Sequence, residues 1–233
     1  MQNKEVPHRI VALVPAAGGG VRFGAPYPKQ YAQLLGRPLM WHTLTALAAV
    51  ASISQVALVL APDDRCFDRF PWEIKKLSVH RVGGVLRSES VRQGLLSLAL
   101  QPNDWVLVHD AVRCCLTVAM LDRLLNELTE DPVGGLFALP VSDTIKRADL
   151  DGRVCATLVR EALWLAQTPQ MFRAGLLLEG LNLCSVSAPT DEAAVIEQLG
   201  LKPRLIEGET TNLKVTRPCD LSLAQAILTA RME

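Results

Sequence analysis

A glycine-rich segment at positions 15–24, Pro-Ala-Ala-Gly-Gly-Gly-Val-Arg-Phe-Gly, carries the residue types best suited to bind a phosphate. It follows the apolar run Ile10–Val14, which predicts a buried strand. A glycine-rich loop that leaves such a strand can direct several backbone N–H groups at one anion. Two cations, Arg22 and Lys29, lie in the segment and just after it. This combination predicts a site for a triphosphate whose negative charge increases during a reaction.

Two better-known glycine loops do not match the segment. The dinucleotide-binding pattern GxGxxG, started at Gly18, fails at Phe23, where glycine is required. The P-loop pattern GxxxxGK[ST] fails because Ala25 follows Gly24. A plain strand-to-helix connector is the alternative interpretation, and it leaves the two cations unexplained.

The composition is that of a globular protein with a full core. The chain has 233 residues, of which 49% are hydrophobic and 21% charged, and we expect one domain over 1–233. Its 24 basic and 24 acidic residues cancel, which argues against nucleic acid or a membrane surface as a partner. No apolar run reaches the about 18 residues that a membrane span needs. We therefore expect a cytoplasmic protein.

Strand-like and helix-like segments alternate along the chain. The alternation predicts an α/β fold, a Rossmann-like, doubly wound, mostly parallel sheet with helices on both faces. The expected strands are Ile10–Val14, Gln55–Leu60, Ser78–Val82, Trp105–His109, Gly135–Val141 and Pro203–Glu207. The expected helices are Leu39–Val50, Ser88–Leu100, Val118–Glu130, Ala174–Cys184, Asp191–Leu199 and Pro218–Arg231.

One segment interrupts this alternation. Two β-like runs surround the turn Asp149–Gly152 and predict a projecting β-hairpin arm at about 141–160. A two-stranded hairpin alone is marginal in water, so we expect the arm to pack against something, with a second subunit as the natural candidate.

Two further segments carry polar residues at expected strand ends, where open parallel sheets bind ligands. They are Gly83–Ser90 and Val106–Arg113, which ends in Asp110 and Arg113. A fourth segment, Asn212–Thr216, places Lys214 inside an otherwise uncharged run, where a lone charge is costly unless it is paired or at an edge. Each of these residues, taken alone, also has a purely structural interpretation. Asp110 could cap the following turn, Arg113 could be a surface residue, and Lys214 could lie on a solvated edge. Together with the glycine-rich loop, they predict one shared rim. His109 alternates with apolar neighbours, which is typical of a packed strand residue rather than a base.

Six motifs in order resemble those of nucleotidyltransferases that act on sugar and polyol phosphates. They are PAAGGGVRFG with PKQY, VLVHDAVR, PVSDTIKR, QTPQMF, TDEA and NLKVTRP. The combination is similar to the 2-C-methyl-D-erythritol 4-phosphate cytidylyltransferase family of the non-mevalonate isoprenoid pathway. The resemblance extends from about residue 9 to residue 231.

The resemblance implies a reaction in which CTP and methylerythritol 4-phosphate give the cytidine diphospho-alcohol and pyrophosphate, with Mg²⁺. Arg22 and Lys29 match the family's transition-state stabilisers, and Arg160 and Lys214 match residues that position the substrate phosphate. The implied CTP contacts are Ala16, Ala17, Gly18, Gly84, Ser90, Asp110 and Ala111. The implied substrate contacts are Asp110, Arg113, Thr144, Arg160 and Lys214. Mg²⁺ would be held mainly by the CTP phosphates, with Asp110 as a further candidate.

The family also implies a homodimer, in which Thr144 and Arg160 on the arm serve the site of the other chain. A phosphate monoester has a second pKa near about 6, so at pH 7 the attacking group is already largely dianionic and needs no general base. The sequence departs from the common pattern at Val85, where an acid is frequent, and at Cys114, where proline is usual.

Other functions remain compatible with parts of the sequence. A ribitol-5-phosphate cytidylyltransferase would share the CTP loop and much of the arm. Only the motifs that follow the glycine-rich loop argue against a sugar-1-phosphate nucleotidyltransferase that uses UTP or GTP. A non-catalytic nucleotide-binding protein could keep the glycine-rich loop and lose the cations of the site. All four of these cations, Arg22, Lys29, Arg160 and Lys214, are present in this sequence.

Overall fold

The computed structural model describes residues 8–19, 27–183 and 189–232. The strands are β1 (Ile10–Pro15), β2 (Gln33–Leu34), β3 (Arg37–Pro38), β4 (Ile53–Val59), β5 (Leu77–His80), β6 (Trp105–Val108), β7 (Gly134–Pro140), β8 (Ile145–Ala148), β9 (Val154–Leu158), β10 (Trp164–Arg173) and β11 (Arg204–Glu207). The helices are α1 (Leu39–Ala49), α2 (Arg87–Ser97), α3 (Val118–Leu128), α4 (Ala174–Leu183), α5 (Glu192–Gln198) and α6 (Pro218–Ala230). Short 3-10 helices lie at Lys29–Tyr31 and Phe67–Arg69.

Seven strands form the central sheet in the order β11-β7-β10-β6-β1-β4-β5. The pairs of β1 with β4 and β6, of β4 with β5 and of β7 with β11 are parallel. Strand β10 lies antiparallel between β6 and β7. The mostly parallel α/β fold expected from the sequence is therefore confirmed.

The side chains of β1 show why helices cover both faces of this sheet. Successive side chains of a strand point to opposite faces, and all four central residues of β1 are apolar and fully buried. Ala12 and Val14 belong to the core that α1 and α3 complete, whereas Val11 and Leu13 belong to the core beneath α2, α4 and α5. Helix α6 packs through Ala224 on a third, smaller cluster.

Strand β10 is the main element that the sequence interpretation missed. Its pairing with β7 shifts register between Ala166 and Gln170, around Pro169, which has no N–H to donate to a ladder. The polar run at 167–170 therefore breaks the apolar alternation by which strands are recognised. The expected elements are otherwise present, with ends that differ by up to three residues; Cys184 lies outside the described residues.

The predicted hairpin is also present. In the described part of the chain, strands β8 and β9 pair only with each other, and the backbone N–H groups of Asp151 and Arg153 both donate to the Asp149 carboxylate in the turn. That the chain forms a single domain stays a prediction. Within the described ranges, no helix is long and apolar enough to cross a membrane.

Gly134 at the start of β7 provides a test of the packing between β7 and β10. Its φ is +100°, and a Cβ at this position would collide with the carbonyl oxygen of Met171. We expect Gly134→Ala to lower the free energy of unfolding by about 3 kcal/mol, measured by chemical denaturation. Gly152→Ala is the matched control, because its φ is +77° but nothing lies within 4 Å of the added Cβ. Equal losses in the two variants would contradict the steric explanation.

Candidate active site

A cleft of about 320 Å³ opens at the carboxyl ends of the parallel strands. Its lining residues come from distant parts of the sequence: 15–18, 29–30, 84–87, Ser90, 110–112 and Lys214. The structure thus brings together the four segments that the sequence analysis singled out, because each one directly follows or faces a strand end of the same sheet edge.

The glycine-rich loop is anchored where it leaves β1. The backbone N–H of Ala16 donates to the carbonyl of Val59 at 2.8 Å, which continues the pairing of β1 with β4 by one residue. Lys29 also lines the cleft, and its Nζ donates to the carbonyl of Val215 at 3.0 Å. The predicted partner cation Arg22 lies outside the described residues.

The second segment forms a tight turn before α2. The buried hydroxyl of Ser90 donates to the carbonyl of Leu86 at 3.1 Å and accepts from the N–H of Gly84 at 3.1 Å. Gly84 is needed here because a Cβ would lie 2.5 Å from Cβ of Glu89. Val85, in the turn, is 96% exposed. The hydroxyl of Ser90 therefore fixes the conformation of the turn, and residues 84–86 of this turn line the cleft.

Asp110 is the charged centre of the cleft. Its Oδ1 accepts from Nε of Arg87 at 3.0 Å, its Oδ2 lies 2.8 Å from Nζ of Lys214, and Nε of Arg113 lies 3.7 Å from Oδ2. Burial opposes ionisation of this carboxyl, but the three cations together hold its pKa well below the usual range. Asp110 is therefore the common counter-ion of three basic side chains.

Arg87 and Glu192 are site residues that the sequence analysis missed. Arg87 donates to both carboxylate oxygens of Glu192, at 2.6 and 3.0 Å, while also contacting Asp110. Burial disfavours the charged guanidinium, yet the two carboxylates raise the pKa of Arg87. One feature of the sequence could have indicated Arg87. It begins α2, where a positive charge is unfavourable beside the positive end of the helix dipole unless another interaction compensates it.

His109 is a buried structural residue, as its apolar neighbours predicted. Its Nδ1 lies 3.0 Å from the Thr168 hydroxyl, and its Nε2 lies 3.2 Å from the carbonyl of Arg113. Because a carbonyl can only accept, Nε2 carries the hydrogen and Nδ1 accepts from Thr168. Burial lowers the pKa of His109 to about 4, so the ring is neutral at pH 7. The Thr168 hydroxyl also accepts from the N–H of Asp110 at 3.1 Å, which joins β10 to the turn that carries the carboxylate.

Three predicted substrate contacts lie away from this cleft. Arg113 is 9% exposed and donates to the carbonyl of Asn212 at 2.7 Å, behind Asp110 rather than in the cleft lining. Thr144 and Arg160 are exposed on the arm, where Arg160 donates to the carbonyl of Ser142. Neither of these arm residues lines the described part of the cleft of its own chain.

This arrangement is suited to binding and aligning a polyanion. Lys29, Arg87 and Lys214 bring positive charge to a cleft that is also lined by the glycine-rich loop, and Asp110 supplies one carboxylate. His109, the one histidine beside the cleft within the described ranges, is buried and neutral. Fold and cleft together define an α/β protein with an anion-binding cleft at the carboxyl edge of its mostly parallel sheet, the arrangement expected of a nucleotidyltransferase.

Comparison with known proteins specifies the family. The chain belongs to the 2-C-methyl-D-erythritol 4-phosphate cytidylyltransferase family, whose model matches residues 10–230. Relatives of that name from Chromobacterium violaceum and Laribacter hongkongensis are 60% identical over 224 residues and 58% identical over 221 residues. These matches cover 96% and 94% of this chain and 100% and 96% of the relatives. A crystal structure described as 4-diphosphocytidyl-2C-methyl-D-erythritol synthase matches with a TM-score of 0.84 at 36% identity, covering 96% of this chain and 99% of that one.

The role of Asp110 as a shared counter-ion can be tested by Asp110→Asn. The variant leaves three neighbouring cations without their common negative charge, so we expect the free energy of unfolding at pH 7 to fall by about 3 kcal/mol. Asp143→Asn is the control, because Asp143 is exposed on the arm and we expect almost no change there. A stability loss for Asp110→Asn no larger than that of the control, measured by urea denaturation, would show that the cations do not depend on this carboxylate.

Proposed function

We propose that the chain joins CTP and 2-C-methyl-D-erythritol 4-phosphate to form 4-diphosphocytidyl-2-C-methyl-D-erythritol and pyrophosphate, in the supply of isoprenoid precursors. The observation that carries the proposal is the convergence of Lys29, Arg87 and Lys214 on one cleft beside the glycine-rich loop. Family membership specifies which nucleotide and which alcohol phosphate we assign to this cleft. The proposal places the reaction in the cytoplasm and requires neither a nucleic acid nor a membrane.

The chemistry is a displacement at the α-phosphorus of CTP. An oxygen of the alcohol phosphate attacks this phosphorus, and the bond to the bridging oxygen of the β-phosphate breaks, so that pyrophosphate leaves with the electron pair. The attacking phosphate is largely a dianion at pH 7, so no proton has to be removed by the protein. The protein's contribution is alignment and positive charge around the phosphates.

We assign these two tasks to different cations. Lys29 lies next to the glycine-rich loop and, together with Arg22, would neutralise the charge that develops on the α-phosphate and the leaving group. Lys214 would hold the phosphate of the alcohol, since its side chain is 40% exposed and its ammonium group can leave Asp110 for a stronger anion. Ala16, Ala17 and Gly18 would contact the cytosine, and residues 84–86, which also line the cleft, would contact the nucleotide.

A Mg²⁺ ion fits this site only in association with the nucleotide. Within the described ranges, no cluster of three or more His, Cys, Asp or Glu could hold a metal ion. Both oxygens of the one cleft carboxylate, Asp110, already face cations at 2.8 and 3.0 Å. Mg²⁺ is commonly bound by substrate phosphates with one or two carboxylates. We therefore assign the ion mainly to the triphosphate, where it would supply further positive charge. Asp110 becomes a protein ligand for it only if Lys214 leaves the Asp110 carboxylate.

The arm supports a homodimer in which each chain completes the site of the other. Among the residues that the structure describes, its strands pair only with each other, and the apolar side chains of Val154, Leu158 and Val159 are exposed on the arm. Thr144 and Arg160 do not line the cleft of their own chain within the described part of the structure. We propose that a partner chain covers the apolar surface of the arm and receives these two residues in its own cleft.

The test of the reaction is pyrophosphate release with CTP, Mg²⁺ and 2-C-methyl-D-erythritol 4-phosphate. Ribitol 5-phosphate in place of the alcohol phosphate, and UTP in place of CTP, are the parallel controls. We expect fast release only with the proposed pair. Faster release with ribitol 5-phosphate or UTP would overturn the substrate assignment, and no release with any pair would overturn the catalytic function.

Lys29→Ala tests the role of the first cation. A group that stabilises the transition state more than the ground state lowers kcat when it is removed, so we expect a loss of about 3 kcal/mol, or roughly a hundredfold in kcat. The KM for CTP should change much less. Lys75→Ala is the control, since Lys75 is exposed and does not line the described cleft. A raised KM for CTP at unchanged kcat would make Lys29 a ground-state ligand only.

Mixing two impaired variants tests whether the arm acts in the partner's cleft. We expect Arg160→Ala to raise the KM for the alcohol phosphate. If the arm crosses, a mixed dimer of Arg160→Ala and Lys29→Ala chains has one cleft with both residues intact. Random exchange should then restore about a quarter of the wild-type sites, because half of the dimers are mixed and half of their sites are intact. Activity that stays at the average of the two separate variants would place Arg160 in the cleft of its own chain.

A further inference from the structure

We propose that Gln30 is a positioning residue for the nucleotide, because its side chain fixes the carbonyl groups of the glycine-rich loop. This inference rests on the proposed function and assigns a role to a residue of the PKQY motif other than its lysine. Gln30 is 4% exposed, and it lines the cleft together with Lys29 and residues 15–18 of the loop.

One amide group holds two points of the loop. The Nε2 of Gln30 donates to the carbonyl of Ala16 at 2.7 Å and to the carbonyl of Gly18 at 3.2 Å. A side-chain amide nitrogen carries two hydrogens, so both carbonyls are satisfied at once. The side chain of Gln30 therefore fixes the distance between these two peptide groups.

The orientation of the loop N–H groups follows from these two bonds. In a trans peptide, the N–H points opposite to the C=O of the same peptide unit. Fixing the carbonyls of Ala16 and Gly18 therefore fixes the N–H directions of Ala17 and Gly19, on the side away from Gln30. Within the described ranges, the structure gives these two N–H groups no acceptor in the chain. They are consequently oriented in advance for a ligand.

Side-chain packing cannot replace this restraint. Nothing in the described part of the chain lies within 4 Å of a Cβ built on Gly18 or Gly19, so a side chain at either position would have no packing partner there. Gln30, in contrast, is held from both sides. Lys29 donates to the carbonyl of Val215 at 3.0 Å, and the Tyr31 hydroxyl donates to Asp64 at 2.8 Å. Gln30 thus transmits the position of this fixed turn to residues 16–18 of the glycine-rich loop.

Gln30→Glu is the sharpest variant, because it keeps the shape of the side chain and removes the two donor hydrogens. A carboxylate would face two carbonyl oxygens and could not hold them in place. We expect the KM for CTP, and the dissociation constant of CTP measured by calorimetry, to rise by about tenfold or more. The KM for the alcohol phosphate should stay within about twofold, because Lys214 does not depend on the loop carbonyls. Gln33→Glu is the matched control, since Gln33 is exposed and three residues away.

The split between kinetic constants separates positioning from a purely structural role. A variant that is partly unfolded has fewer active molecules, which lowers the maximal velocity and leaves both KM values unchanged. Gln30→Met, which removes the donors without adding a charge, replaces Gln30→Glu if the latter fails to fold by circular dichroism. A folded variant with unchanged CTP affinity, or one whose two KM values rise equally, would overturn the proposal.

The positioning role of Gln30 can be tested even if the proposed reaction is not observed. If the wild-type chain releases no pyrophosphate with any substrate pair, calorimetry with CTP and UTP still measures whether Gln30→Glu weakens nucleotide binding relative to Gln33→Glu. Weaker binding in that variant alone supports the positioning role, and equal binding in both variants contradicts it.

Discussion

The carboxylate of Asp110 is the interaction on which the rest of the cleft depends. It contacts Arg87 from α2 and Lys214 from the 212–216 segment, with Arg113 of its own turn nearby. All three basic side chains lie within 3.7 Å of this carboxylate, and without it their positive charges would repel one another. One buried negative charge therefore allows a positively charged cleft to exist before any phosphate arrives, and Glu192 extends the same arrangement by pairing with Arg87.

This arrangement explains how a chain without net charge can be suited to a highly charged substrate. The positive charge is local, and the backbone of the strands and turns around the cleft holds it in place. The hydroxyl of Thr168 fixes the backbone of Asp110, and the carbonyl of Val112 accepts from the N–H of Val215, beside Lys214. Such preorganised charge stabilises a transition state without a reorganisation cost during the reaction, which is the main source of catalysis in transfers of this kind.

The sequence predicted most strands of the sheet and the convergence of the cleft segments. It did not predict β10 or which charged side chains form ion pairs in the cleft. Apolar runs such as Ile10–Val14 are readable because their burial on both faces leaves a simple pattern. The exposed part and the register shift of β10 hide that strand, and nothing local links Arg87 to Glu192, which are 105 positions apart. Lys214 was recognisable as a charge that needs a partner, but its partner Asp110 follows from the three-dimensional fold alone. Motif resemblance, rather than periodicity, supplied the substrates and the roles of the arm residues.

Alignment and positive charge, without a protein base, are sufficient for the proposed reaction. The pH dependence of kcat/KM for the alcohol phosphate, compared with that for an analogue whose phosphate has a lower second pKa, tests this directly. We expect kcat/KM to be half-maximal near about pH 6, to level off about one pH unit higher, and to shift to lower pH with the analogue by the difference in phosphate pKa. A rising limb that stays at the same pH with both substrates would reveal a titrating protein group and refute catalysis without a protein base.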